Sequence, residues 1–300
     1  MKHAYLIIAH KNDYTFQTLL NLLDDERNDI FIHMDKKNEE YRFEDSTKYI
    51  KKSKIYQVKH RNDVVWGDYS QIATELALLE LATNVGKYDF YHLLSGEDLP
   101  VKNQDYIHHF FEQNVGKEFV RFEGSTFLHS GRVCQYHFLQ RLIGKPESHP
   151  HLYSLEYQFI KLQKMIGVKR NKDIPFQKGA NWFSITDDLA REVVGRKSWI
   201  KRVFKFTECC DEVFLQTIVN QSRFKEKLYH KGYDNDSHAI MRLIDWNRGA
   251  PYIFRSVDKE MLKETDMLFA RKFDCTVDRE IVDYVAYELG AKKDFRNLFC

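Results

Sequence analysis

The chain has 300 residues, of which 43% are hydrophobic and 30% charged, a composition that can bury a sizeable core and excludes a disordered chain. Its 46 basic and 44 acidic residues leave a formal charge of +2, so no general attraction to nucleic acid is expected and only a local basic site stays open. Five cysteines at irregular spacing, Cys134, Cys209, Cys210, Cys275 and Cys300, form neither a disulfide framework nor a CxxC zinc site, which points to a reducing compartment. The N-terminal MKHAYLIIAH has an apolar run of about six residues, against the ~18–20 needed to span a bilayer. It is also a poor signal peptide, so a cytoplasmic protein is expected.

In chain order, Ala4 to Ala9 reads as a buried first strand. Phe16, Leu19, Leu20, Leu22 and Leu23 have helical spacing. Ile30 to Ile32 reads as a second strand that ends at His33-Met34-Asp35, and Ile55 to Val58 as a third. Asp68-Tyr69-Ser70-Gln71 has the form of a capping box with Asp68 as N-cap. The helix it opens carries Ile72, Leu76 and Leu79 on one face, and Tyr88 to Leu94 is a further strand. Strands alternating with helices predict an α/β fold with a mixed, mostly parallel sheet.

Residues 123–180, rich in His, Tyr and Gly, are expected to form long loops around a helix near 152–166. Trp182 to Thr186 reads as a strand, with Thr186 capping the next helix. Asp211 to Asn220 reads as a short helix, Met241 to Asp245 and Tyr252 to Phe254 as a strand pair, and Asp278 to Leu289 as a closing amphipathic helix. No repeat or Pro/Gly-rich linker divides the chain. A single domain over 1–300 is expected, with nucleotide binding mainly in 1–122 and acceptor and diphosphate binding mainly in 123–300.

Several segments could carry chemistry, and in α/β folds ligands sit at strand ends. Asp35 closes the second strand, where an acid can accept hydrogen bonds from a ribose or a base; as a plain loop acid it would do nothing. Ser95-Gly96-Glu97-Asp98-Leu99-Pro100 is a small acidic turn after an apolar strand, a ligand position or an ordinary turn. Asp211-Glu212 offers a general base if it faces a cleft, and otherwise stabilises a helix start. Arg271-Lys272, between Phe269 and Phe273, could hold a diphosphate or form a solvated basic turn. Asp234-Asn235-Asp236 is formally a D-x-D metal motif, but it lies in a polar stretch and follows no apolar strand. The 13 His show no ligand spacing, and there is no P-loop, GxGxxG or GxSxG.

Taken together, AYLIIAH, IFIHMDKK, VVWGDYSQI, YHLLSGEDLPVK, KGANWFSI, CDEVFLQT, MRLIDWNRG, PYIFRSVD and LFARKFD occur in this order. The ordered set resembles the core-2/I-branching N-acetylglucosaminyltransferase and peptide O-xylosyltransferase family over nearly the whole chain. The resemblance implies a GT-A-type fold with a Rossmann-like nucleotide half. It implies an inverting, metal-independent transferase that moves a sugar, GlcNAc or xylose, from a UDP-sugar to a hydroxyl of a glycan or glycolipid. By motif, Glu212 is the catalytic base. Ala9, Asp35, Val65 and Trp66 are donor-binding, and Arg271, Lys272 and Arg248 neutralise the diphosphate. Asp98, Asn181, Trp182 and Trp246 contact the sugar or the acceptor. No cofactor or metal is implied.

Animal members of that family carry a Golgi anchor and many cysteines, and the departure from both points to a bacterial-type cytosolic version. Arg248 needs a one-residue shift to match the branching enzymes, and Arg255 is its rival. Interleaved cations and aromatics in KSWIKRVFKF, Lys197 to Phe206, raise peripheral contact with the inner face of the membrane beside the plainer reading of a half-buried helix. Two other functions are weighed: a metal-dependent transferase using Asp234 and Asp236, and a carbohydrate-binding protein without catalysis. The second is disfavoured because the base and the cations are both in place.

Overall fold

The computed structural model describes residues 1–289. Five strands form the main sheet: β1 (His3–Ala9), β2 (Asn28–Met34), β3 (Lys54–Gln57), β4 (Phe90–Ser95) and β6 (Ser184–Ile185). Their order is β3-β2-β1-β4-β6, with all neighbours parallel except β6 against β4. A smaller sheet, ordered β5-β8-β7, joins β5 (Asp98–Pro100), β8 (Phe269–Arg271) and β7 (Arg242–Ile244). The expected α/β class with a mixed, mostly parallel sheet is therefore the observed one. The helices are α1 (Tyr14–Leu23), α2 (Phe43–Thr47), α3 (Ser70–Val85), α4 (Gln104–Gln113), α5 (Ser130–Cys134), α6 (Gln140–Ile143), α7 (Pro150–Met165), α8 (Asp187–Gly195), α9 (Lys197–Phe204), α10 (Phe214–Asn220), α11 (Lys259–Glu264) and α12 (Arg279–Tyr284).

Successive side chains of a strand point to opposite faces, and β1 divides accordingly. Ala4 and Leu6 join a core with Ile72, Leu76 and Leu79 of α3 and with Leu189 and Val193 of α8. Tyr5, Ile7 and Ala9 join a second core with Phe16 and Leu20 of α1, Phe269 of β8 and Ile281 of α12. Both faces are covered, as a parallel sheet requires.

Arg242 ties the two sheets together. Its guanidinium is fully buried and donates to the carbonyls of Leu93 and Phe183 at 3.1 and 2.6 Å and to that of Ile240 at 2.6 Å. Burial lowers its pKa to about 10.

The structure moves several expected elements. The anticipated capping box is offset: Asp68 accepts from the Ser70 N–H at 2.9 Å, and Gln71 reaches back to the Gly67 N–H rather than to Asp68. Residues 210–220 split into a 3-10 turn, Cys210–Glu212, and α10, because Val213 leaves helical geometry. Tyr252 to Phe254 is no strand; its backbone makes single hydrogen bonds to and from Lys272, while β7 pairs with β8. The closing helix is α12, capped by Asp278, followed by a π turn over Val285–Leu289. Cys300 lies outside the described residues. In α9 the apolar residues Ile200, Val203 and Phe204 are buried in the core. The Lys197–Phe206 stretch is thus a half-buried helix, and the suggestion of membrane contact through it loses its basis. Among the described residues no helix is long and apolar enough to cross a membrane.

Candidate active site

A cavity of about 940 Å³ opens at the C-terminal ends of the parallel strands. Ala9 ends β1, Asp35 follows β2 and Ser95 ends β4, and all three line it. That is where open α/β sheets bind ligands. The Asp35 N–H is held by the Ala9 carbonyl at 2.7 Å, and Asp35 Oδ1 accepts from the Lys37 N–H at 2.9 Å. Trp66 stands on the wall, 43% exposed. Asn181, with its side-chain oxygen buried and unpartnered, and Trp182 also line it.

Trp182 is covered by Arg271, whose guanidinium carbon lies 4.3 Å from its ring centre, a cation–π contact. Arg271 comes from β8, and its Nη1 is 3.1 Å from Asp98 and 3.3 Å from Ser95 Oγ. Asp98 is only 1% exposed. Its oxygens accept from the Ser95 N–H at 2.9 Å and the Ser95 hydroxyl at 2.7 Å. Burial raises its pKa, against which Arg271 and Ser95 pull down. Next in sequence, Lys272 Nζ is 2.8 Å from Glu97, and Glu97 lines the cavity.

Part of the lining comes from α3. Gln71 and Glu75, on successive turns of α3, line the cavity. The Gln71 amide donates to Asp211 Oδ2 at 3.0 Å. Burial pushes the Asp211 pKa up to about 7, with the neighbouring Glu212 adding to the rise. Glu212 itself faces away from Gln71: its carboxylate is 3.0 Å from Arg132 and 3.5 Å from Lys178, and its carbonyl accepts from the Gly179 N–H at 2.9 Å.

Against known proteins, residues 3–267 match the family described as Core-2/I-Branching enzyme. This chain belongs to the core-2/I-branching enzyme family. It is 22% identical to xylosyltransferase 2 of Rattus norvegicus over 316 residues, covering 95% of this chain and 33% of that protein. It is 22% identical to xylosyltransferase 1 of Homo sapiens over 313 residues, covering 95% of this chain and 30% of that protein. The chain thus spans about a third of the length of these relatives. Among solved structures it resembles apo mouse xyloside xylosyltransferase 1 at 10% identity and a TM-score of 0.39, over 92% of this chain and 99% of that one.

Of the residues that the core-2/I-branching resemblance singled out, the structure brings Ala9, Asp35, Trp66, Asn181, Trp182 and Arg271 to one cavity. Others fall elsewhere. Val65 is one residue off, with Val64 on the wall and the Val65 N–H held by Ser70 Oγ. Asp98 does not line the cavity: it is buried beneath Arg271 and Ser95, and both of its oxygens are engaged by them. Lys272 and Glu212 flank the cavity without lining it. Trp246 is 54% exposed and outside it. Arg248 is also outside, clamped by Asp245 and Asp258, each at 2.6 Å, and stacked on Tyr252. Its rival Arg255 is exposed and lines nothing there.

Asp234 and Asp236 pair with His230 and His238 at 2.9 and 2.7 Å on the surface, away from the cavity. Among the described residues, the side chains grouped closely enough to share a metal ion are Asp13, Asp274 and Cys275, which include neither acid of the D-x-D.

Sequence reasoning missed Gln71 and Glu75 as cavity residues, and within the Ser95–Pro100 turn it singled out Asp98 where Glu97 lines the cavity. A signal existed for Glu75: it sits at i+3 from Ile72 and i+4 before Leu79, on the buried face of an otherwise apolar helix stripe.

Proposed function

We propose that this protein is an inverting glycosyltransferase that moves xylose or N-acetylglucosamine from a UDP-sugar to a hydroxyl of a glycan or glycolipid, without a metal ion. The observation that carries this reading is the meeting of Asp35, Trp66, Asn181, Trp182 and Arg271 in one cavity at the strand ends, in a chain of this family. The uridine lies against Asp35 and Trp66. The diphosphate lies toward Arg271 and Lys272, where paired cations do the work a divalent ion does in other transferases. The sugar lies toward Asn181 and Trp182.

The reaction is a single displacement. The acceptor oxygen forms its bond to the anomeric carbon as the bond from that carbon to the diphosphate oxygen breaks. The electron pair leaves on UDP, and Glu212 takes the acceptor proton. Attack on the face opposite UDP inverts the anomeric centre. The developing negative charge on UDP is met by the two cations, which therefore bind the transition state more tightly than the ground state. A cytoplasmic setting belongs to this reading, and the free thiols of Cys134, Cys209, Cys210 and Cys275 support it.

The metal-dependent alternative would need Asp234 and Asp236 near the diphosphate; both are engaged by histidines outside the cavity. The test is UDP release from UDP-xylose and UDP-N-acetylglucosamine, with and without EDTA and with a panel of sugar acceptors. Turnover that survives EDTA is expected. Turnover abolished by EDTA and restored by manganese would overturn metal independence, and no release from either donor would overturn the reading as a whole.

A further inference from the structure

Glu75 has no place in the scheme above. Glu75 is 0% exposed yet lines the cavity, and neither of its carboxyl oxygens has a hydrogen-bond partner. A buried, unpartnered carboxyl group is costly to fold. At this point of α3, between the core residues Ile72, Leu76 and Leu79, a leucine would pack without that cost. Glu75 is therefore explained by something that enters the cavity.

The groups around it narrow what enters. Gln71, one turn before, is fixed at both ends of its amide: the oxygen accepts from the Gly67 N–H and the nitrogen donates to Asp211. It cannot swing over to satisfy Glu75. Asn181 presents a second buried, unpartnered oxygen to the same space. Trp182 supplies a flat apolar surface in the same cavity. A ligand that satisfies this set must offer hydroxyls to carboxyl and amide groups and C–H faces to aromatic rings, which is the chemistry of a sugar. The diphosphate has its own partners in the cations Arg271 and Lys272, which leaves the hydroxyl-bearing part of the donor for Glu75.

We infer that Glu75, backed by Gln71 and Asp211, is a specificity-determining residue that binds a hydroxyl group of the donor's sugar. The inference rests on the glycosyltransferase reading and goes beyond it by naming where the sugar is read. Burial and the nearby Asp211 raise the Glu75 pKa well above the carboxylate range, so the group meets the sugar as a neutral acid able both to donate and to accept. No uridine or diphosphate contact is assigned to Glu75.

The experiment titrates the full chain with UDP, UDP-xylose and UDP-N-acetylglucosamine by calorimetry, in wild type and in Glu75→Leu, Glu75→Ala and Glu75→Gln, with a thermal melt of each. In the Leu and Ala variants the sugar nucleotide that wild type binds best should lose roughly tenfold in affinity, the scale of one lost hydrogen bond in a closed site. UDP should stay within about twofold, because it has no sugar at this wall. Glu75→Gln, which can still donate and accept, should retain most of the sugar affinity. Glu75→Leu should melt at or above the wild-type temperature, since it removes an unpaired buried polar group; either folded apolar variant carries the test. Unchanged sugar-nucleotide affinity in a folded apolar variant overturns the inference, as does an equal loss for UDP and UDP-sugar. Wild-type protein that binds none of the three ligands sinks the glycosyltransferase reading and this inference with it, whereas wild type that binds them with Glu75 irrelevant sinks the inference alone.

Discussion

Lys272 Nζ sits 2.8 Å from the carboxylate of Glu97, and the other oxygen of that carboxylate faces Lys11 and His10 at 3.9 and 3.8 Å. One residue earlier, Arg271 is paired with the buried Asp98. The two cations assigned to the diphosphate are thus each already paired with an acid. An incoming diphosphate must compete with Glu97 for Lys272, while Asp98 holds Arg271 in position from beneath.

That relationship predicts how Lys272→Ala behaves. A charge-assisted contact to the diphosphate is worth about 1.5–3 kcal/mol, or roughly ten- to hundredfold in affinity. UDP and UDP-sugar binding should fall by that factor while uridine, which lacks phosphate, stays near wild type. Glu97→Gln should move UDP the other way, a modest tightening, because the competing carboxylate is gone. Calorimetric titration with UDP and uridine checks both. Equal loss of the two ligands would mean that the site has collapsed, and no loss would remove Lys272 from the diphosphate.

Arg248 and Arg271 separate by the same assay. Arg271 lines the cavity, whereas Arg248 is held outside it by Asp245, Asp258 and Tyr252. Arg271→Gln should weaken UDP at least tenfold, on the scale of a lost charged hydrogen bond. Arg248→Gln should leave UDP affinity within about twofold of wild type. A tenfold loss in Arg248→Gln would return that residue to the donor site.

The parts of this architecture that bury apolar runs were legible in the sequence. β1, β2 and β4 carry apolar runs that are buried on both faces, and α1 carries Phe16, Leu19, Leu20 and Leu23 at helical spacing. β5 and β8 were not legible. Each is three residues long, and Asp98 and Arg271 are polar strand residues that face each other across the sheet. Their reason for being there is each other, a contact between residues far apart in sequence. Arg242 is the same kind of case: an arginine in a short strand reads as an edge residue until Leu93 and Phe183 are seen to take its donors. Six of the twelve site residues named from motifs meet at the cavity; of the motif containing Asp98, Ser95 and Glu97 line the cavity and Asp98 lies buried behind them. Spacing alone does not say which member of an acidic turn points inward.

Gly179 links the Glu212 turn to Asn181 and Trp182. A Cβ built there would lie 1.7 Å from the Arg121 carbonyl oxygen, a backbone atom that cannot step aside. Gly179→Ala should destabilise the protein by about 1–3 kcal/mol or more through overpacking, lowering the urea midpoint. Gly195, at the end of α8, has nothing within 4 Å of such a Cβ, so Gly195→Ala should be neutral or slightly stabilising. Similar midpoints for the two variants would contradict the close approach.

Stability should depend on pH in opposite directions at two sets of groups. Burial pushes Glu118 up to about 7, although Thr186 donates to both of its oxygens at 2.6 and 2.9 Å. Above an unfolded value near ~4.3 the unfolded chain has lost this proton while the folded chain keeps it. The contribution is therefore full below that pH and is lost as pH rises through 7. Glu118→Gln cannot titrate, so its stability deficit against wild type should shrink from pH 5 to pH 8, by up to ~3 kcal/mol. His33 and His108 are pulled down to about 4 by burial. Their contribution is present above the ordinary histidine range near ~6.5 and is lost as pH falls toward 4. Urea unfolding from pH 4 to 8 checks both limbs; a deficit for Glu118→Gln that is constant with pH would contradict the neutral buried acid.

The last prediction concerns Glu212. Its carboxylate is partly exposed and held by Arg132 and Lys178, while its neighbour Asp211 is turned inward to Gln71. Only the outward acid can receive a proton from an acceptor arriving from solvent. Glu212→Gln should therefore keep UDP and UDP-sugar affinity within about twofold, since no donor contact is assigned to it, and lose roughly 10²–10⁴-fold in transfer, the usual cost of removing a general base. Donor hydrolysis should fall less than transfer to a sugar hydroxyl if Glu212 acts on the acceptor. A purely structural role would look different. The ion pairs of a partly exposed carboxylate contribute little to stability, so a structural Glu212 predicts transfer within a few-fold of wild type. Asp211→Asn is the companion variant. If it loses transfer as severely as Glu212→Gln while the latter stays active, the inward acid is the base and the assignment of the two neighbours is reversed.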